Sequence, residues 1–169
     1  MDKFSDELRK RMTTIKHKHF ANDTIYAYLD PGDLQLIECE VAEAFQDVLK
    51  ALVINTDDDH NSKDTAHRVA KMFIHEIFRG RYYPPPDVTA FPNVKKYDQL
   101  YITGPISIDS TCAHHFQPIN GKCYIGIFPG DKVIGLSKFN RVVDWIASRP
   151  QIQEEMTEQI ADMVEKETE

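Results

Sequence analysis

Cysteine is scarce in this sequence: Cys39, Cys112 and Cys123 are the full set. Three are too few, and too odd in number, for a disulfide framework, so a reducing, cytoplasmic setting is expected. Long apolar runs are missing too, and none nears the roughly 18 residues that a bilayer-spanning helix needs. The opening "MDKFSDELRKRM" carries charges with no apolar stretch behind them, which argues against a secretory signal. No basic block stands out as a footprint for nucleic acid. Neither a membrane nor a nucleic-acid partner is therefore expected. Internal repeats and low-complexity tracts are absent as well.

What remains is a 169-residue chain of ordinary globular composition, long enough for one domain with a real core. Its net charge of −7 is uneven, because residues 151–169 hold seven acids against the single Lys166. A solvated helix face explains that tail better than a binding surface does.

Hydrophobic spacing divides the chain. Residues 1–32 read as an N-terminal extension, a short charged amphipathic segment followed by the turn signal "YLDPG". From Asp33 to about Leu52, apolar residues fall at Leu34, Ile37, Val41, Phe45, Val48 and Leu52, the spacing of a helix. After the polar connector "NTDDDHNSKD", a second helix is predicted over 64–79. It is capped by Asp64 or Ser62, has Val69, Met72, Phe73 and Ile77 inward, and places Gly80 just past its end. The proline-rich "RYYPPPDVTAFPN" reads as a linking loop, since proline has no amide to donate. Two alternating stretches follow. One, over 99–109, puts Leu100, Ile102, Ile106 and Ile108 on one face; the other, over 121–128, does so with Cys123, Ile125 and Ile127. Two further helices are predicted, with Phe139, Val142, Val143 and Ile146 inward on the first. The second starts near Pro150 and turns Ile152, Met156, Ile160 and Met163 inward. The expected class is α+β. A lone strand pair is marginal in water, so its sheet should be completed by other subunits or by further chain.

Four stretches carry candidate chemistry. In "STCAHHFQPINGK", Cys112 and His115 are three apart, a thiolate and an imidazole suited to zinc. His114 would then be free for acid–base work. A buried cysteine beside surface histidines is the plain alternative. In "VIGLSKFNRVV", Ser137 reads as an N-cap, and it can converge with Lys138 and Arg141 on a phosphate at a helix start. A capped helix with solvated cations is the plainer reading of these residues alone and is favoured over the phosphate site. In "RPQIQEEMTEQI", Glu154 lies about 200° round the helix from Ile152, away from the core. It is either a first-turn acid favoured by the helix dipole or a two-bond clamp for a guanidine-like edge. In "DTAHRVAKMFIHEIFRG", Arg68 and Lys71 sit on consecutive turns, as a solvated face or as a second phosphate contact.

Taken together and in this order, these four stretches resemble the GTP cyclohydrolase I family over roughly residues 33–169. The resemblance implies a tunnelling fold, with N-terminal helices before an antiparallel sheet that has an inserted helix pair. The sheet would be completed in a ring-shaped homo-oligomer, commonly two stacked pentamers, with only the first two strands and the helix pair on this chain. It implies an enzyme that binds Zn2+ and opens the imidazole ring of GTP hydrolytically. Formate would leave and 7,8-dihydroneopterin triphosphate would form, the entry to folate, pterin or 7-deazaguanine synthesis. Carried over by motif, Cys112 and His115 are two of three zinc ligands and His114 moves protons. Ser137, Lys138 and Arg141 hold the triphosphate, Glu154 and Gln153 hold the guanine edge, and Arg68 is a further phosphate contact.

Two departures qualify that expectation. Ala113 stands where the family has glutamate. The family's third zinc ligand, a cysteine, belongs to a strand after the last helix, so residues 33–169 read as a C-terminally incomplete domain. Cys123 is expected on a core face and is no substitute. The chain by itself is thus expected to bind less than one tight zinc and not to turn over. The competing reading is a non-catalytic homologue that binds nucleotide or assembles with complete subunits.

Overall fold

The computed structural model describes residues 3–14 and 19–168. They form two compact units, residues 1–83 and 84–169.

The first unit is helical. Helix α1 spans Phe4–Thr14, a 3-10 turn covers Tyr26–Tyr28, and α2 runs Asp33–Ala51. Gly32 leads into α2 with φ 98°, a left-handed conformation that glycine takes without steric cost. Leu8, Met12, Ile25, Ile37 and Ile74 share one buried cluster. Along α2 the inward row is Ile37, Val41, Phe45 and Leu49; Val48 and Leu52, expected inward, are 49% and 64% exposed. A run of four-residue steps selects Leu49, one position on.

The second predicted helix is broken rather than ended by Gly80. Helix α3 covers Thr65–Met72, a wide turn follows over Phe73–Ile77, and α4 spans Arg79–Tyr82. In the wide turn the Phe78 amide reaches back five residues to the Phe73 carbonyl at 3.1 Å. The buried row is Ala66, Ala70, Ile74 and Phe78, four residues apart and one position on from the expected Val69, Phe73 and Ile77, which are half-buried; Gly80 is buried inside α4. His75, on the wide turn, bonds Glu38 of α2 and the Tyr83 hydroxyl, each at 2.6 Å.

The second unit holds the sheets. Strand β1 spans Ala90–Pro92, β2 Tyr101–Cys112, β3 Pro118–Ile127 and β4 Lys132–Ile134. Helix α5 follows over Leu136–Ala147, then β5 over Pro150–Gln151 and α6 over Gln153–Thr168. The α+β class is as expected. The proline-rich stretch is not wholly a loop, because β1 pairs with β4; Pro92 sits at the strand's end, where a missing amide is tolerated. The two long strands pair antiparallel, and β5 adds to β2 in parallel, giving the order β3-β2-β5. The last helix therefore begins at Gln153, not near Pro150, whose carbonyl region is strand.

The predicted face of β2 holds for only half its length. Ile106 is buried, whereas Leu100 and Ile102 are 51% and 67% exposed. The ladder shifts register between Thr103 and Ile106, and the inserted residue reverses which side chains point inward. On β3 the expected face is kept: Ile125 and Ile127 are buried and Cys123 packs against the same core. Phe139, Val142, Val143 and Ile146 of α5 are at most 1% exposed and meet Met156, Ile160 and Val164 of α6 there. The acids of α6 through Glu165 are exposed; Glu169 lies outside the described residues.

Candidate active site

Cys112 is the last residue of β2, and the turn to β3 carries the two histidines. Backbone bonds close this turn from both sides: Cys112 N–H to the Gln117 carbonyl at 2.8 Å and Phe116 N–H to the Cys112 carbonyl at 2.9 Å. Phe116 takes φ 53°, a left-handed conformation that lets the chain reverse. Inside the turn, Cys112 Sγ lies 3.7 Å from His114 Nδ1, and the rings of His114 and His115 are 6.4 Å apart. Both histidines are exposed and Cys112 is half-buried.

A thiol with two imidazoles is a donor set of the kind zinc favours. Among the described residues, no group of three or more His, Cys, Asp or Glu gathers to hold a metal. The donors fit zinc in kind, and a closed tetrahedron needs more of them than this turn supplies. Cys123 is held off from that role. It packs against the hydrophobic core, and burial pushes its thiol above the ordinary range, away from the thiolate a metal needs.

Ser137, Lys138 and Arg141 lie on the first turns of α5. The N-cap is Gly135, with extended ψ of 141°, so Ser137 is inside the helix instead of capping it. Two positions separate expectation from structure, the ordinary spread of a helix end. Ser137 and Arg141 are exposed, and Lys138 Nζ donates to the Asp87 carbonyl at 2.9 Å. The Lys138 amide bonds the Gly135 carbonyl, so helix geometry leaves the amides of Leu136 and Ser137 for an anion.

Gln153 and Glu154 open α6, and both are exposed. Gln153 borders a cavity of about 470 Å³ between β3 and α6, shared with Lys122, Tyr124 and Thr157. This helix start is tied to the histidine turn through β5. Gln151 is the register partner of Cys112, and its carbonyl accepts the Ala113 amide at 2.9 Å. Thus Cys112, His114 and the helix that bears Gln153 and Glu154 meet at one sheet edge. Arg68 lies in the other unit, where Nη2 donates to the Asn61 carbonyl at 2.7 Å.

Two residues of this framework escape the sequence patterns. Ser110, buried, donates to the Ala147 carbonyl at 2.7 Å and so satisfies the end of α5. Gln151 is wholly buried, with Nε2 donating to the Ile146 carbonyl at 2.8 Å and to Gln159 Oε1 at 3.0 Å. Among the described residues its Oε1 has no hydrogen-bond partner, a deficit that costs roughly 1–3 kcal/mol for a buried acceptor. A glutamine between Pro150 and Ile152 gives no periodic hint of this burial; only the two-residue strand reveals it.

The GTP cyclohydrolase I family model matches residues 41–169. Similar curated proteins include the GTP cyclohydrolase 1 of Salmonella arizonae, of Salmonella paratyphi B and of Salmonella newport. Each is 39% identical over 133 residues, covering 78% of this chain and 60% of the relative. The chain thus spans about 60% of the length of the relatives it matches.

Proposed function

The chain belongs to the GTP cyclohydrolase I family, and we propose that it serves zinc-dependent hydrolytic opening of the GTP imidazole ring. Formate and 7,8-dihydroneopterin triphosphate are the products of this reading, and a ring-shaped homo-oligomer is its assembly. The observation that carries it is the β2–β5 junction, which joins the Cys112 turn directly to the strand that leads into Gln153 and Glu154.

Cys112 and His115 would hold the zinc, with further donors from outside this turn. Zinc, when bound, supplies a Lewis acid and water acidified towards neutrality. Each protein group then has a distinct task. Glu154 accepts from the guanine N1 and N2 hydrogens, two parallel bonds that orient the base, with Gln153 beside it. Lys138, Arg141 and the Ser137 hydroxyl and amide neutralise and hold the triphosphate. Arg68 is a further phosphate contact. His114, exposed and beside Cys112, is placed to give or take a proton at the opening ring.

Equilibrium binding of GTP and ITP to the purified chain tests this reading. ITP lacks the 2-amino group, so it should bind about tenfold or more weakly, the loss expected when a charge-assisted bond is removed. Glu154→Ala should erase the difference. Equal binding of GTP and ITP by the unaltered chain would overturn the assignment of the guanine clamp.

A further inference from the structure

We propose that Gln151 is a positioning residue, whose buried amide fixes the Cys112 turn, the end of α5 and the start of α6 in one mutual arrangement. The proposal rests on the reading that those three elements carry the zinc donors, the triphosphate contacts and the guanine clamp. One residue touches all three. Its backbone pairs with Cys112 and accepts the Ala113 amide. Its side chain holds the last turn of α5 through the Ile146 carbonyl and the second turn of α6 through Gln159. Two and three residues further on stand Gln153 and Glu154.

The amide can face only one way. The Ile146 carbonyl accepts and never donates, so Nε2 must point to it. That leaves Oε1 buried without a partner among the described residues. An apolar side chain of the same length would remove this acceptor and, with it, the donor to the Ile146 carbonyl and to Gln159. The amide, bonded in two directions, sets the two bonds that specify geometry against one unpaired oxygen.

Gln151→Met keeps the volume and the backbone bonds while removing both amide donors. In the 169-residue chain, the Ala113 amide should exchange with solvent about fivefold faster, as expected for weakening one hydrogen bond locally. GTP should bind about tenfold more weakly, the scale of an outer-shell substitution. Exchange at Phe139, in the core, should stay as it is, which separates loss of position from loss of fold. Gln159→Leu removes one of the two acceptors and should move Ala113 exchange and GTP binding the same way by about twofold. It decides the matter if Gln151→Met fails to fold. Unchanged Ala113 exchange in the folded variants would overturn the proposal. If the unaltered chain fails to prefer GTP to ITP, the functional reading falls, yet Ala113 exchange still reports whether Gln151 positions the turn.

Discussion

The Cys112–Gln117 turn and the first turns of α5 present their candidate groups in opposite ways. The turn is held by its own backbone, through bonds to Gln117, Cys112 and Gln151, and its histidines project into solvent. The start of α5 has no comparable closure. Ser137, Lys138 and Arg141 are aimed by the opposite face of the helix, where Phe139, Val142, Val143 and Ile146 are locked in the core. Chemistry at the turn can therefore be altered residue by residue, whereas chemistry on α5 depends on packing that it does not touch.

The largest effect should come from breaking that packing. Phe139→Ala empties a fully buried site beside Tyr101, whose ring lies 6.5 Å away edge-on. A cost of about 3–5 kcal/mol is expected, read as a fall in the urea midpoint with little change in slope. His114→Ala, by contrast, should leave the midpoint within about 0.5 kcal/mol, because an exposed turn residue contributes little. If the two variants were equally destabilised, the contrast between the regions would be lost.

Removing a single cation sharpens the comparison from the other side. Lys138→Ala gives up one surface bond to the Asp87 carbonyl, so stability should hardly change. Triphosphate binding should weaken by about 1.5–3 kcal/mol, the worth of a charge-assisted contact, while guanosine binding is unaffected. Titrations with GTP and guanosine check the difference. Equal losses for both would place Lys138 away from the phosphates.

The periodic parts of this chain were legible from the sequence, and its exceptions were not. The inward face of α5 follows from helical spacing because nothing interrupts it, and the face of β3 follows from alternation for the same reason. Strand β2 defeated alternation at its register shift, and the 64–79 helix buries Ala66, Ala70, Ile74 and Phe78, one position on from the expected Val69, Phe73 and Ile77. The first is a single-residue insertion that leaves composition unchanged while turning the later side chains over. In the second, the small Ala66 and Ala70 carry less apolar signal than the larger neighbours that were expected inward. The candidate groups were legible as motifs, since residue type and order suffice for that. Gln151 was not, because its role arises from a two-residue pairing with no periodicity to read.

Gly104 tests the insertion itself. It takes φ 141°, and an added Cβ would come within 2.9 Å of the Cys123 carbonyl oxygen and 2.8 Å of the Tyr124 ring. Gly104→Ala should cost about 1–3 kcal/mol, since both the backbone conformation and the space oppose it. The loss should appear as faster amide exchange along Thr103 and Ile125, paired across the ladder, more than at the Cys112 turn. Uniform exchange along β2 would mean that the shift does not isolate the two halves of the strand.

The smallest effect concerns the thiols and leaves stability alone. Cys39 is exposed, Cys112 is half-buried at the turn, and Cys123 packs on the core with its thiol pushed up by burial. Iodoacetamide reacts with thiolate, so access and ionisation both rank the three. Mass spectrometry at neutral pH should find Cys39 labelled first, Cys112 next and Cys123 last. The sign of the Cys123 shift adds a pH arm. A folded-state pKa above the ordinary value means that its labelling rises only at a higher pH than that of an unperturbed thiol, and unfolding in urea should abolish the lag. Cys123 labelling as early as Cys112 in the folded chain would show that β3 opens readily. It would also reopen Cys123 as a donor for the metal.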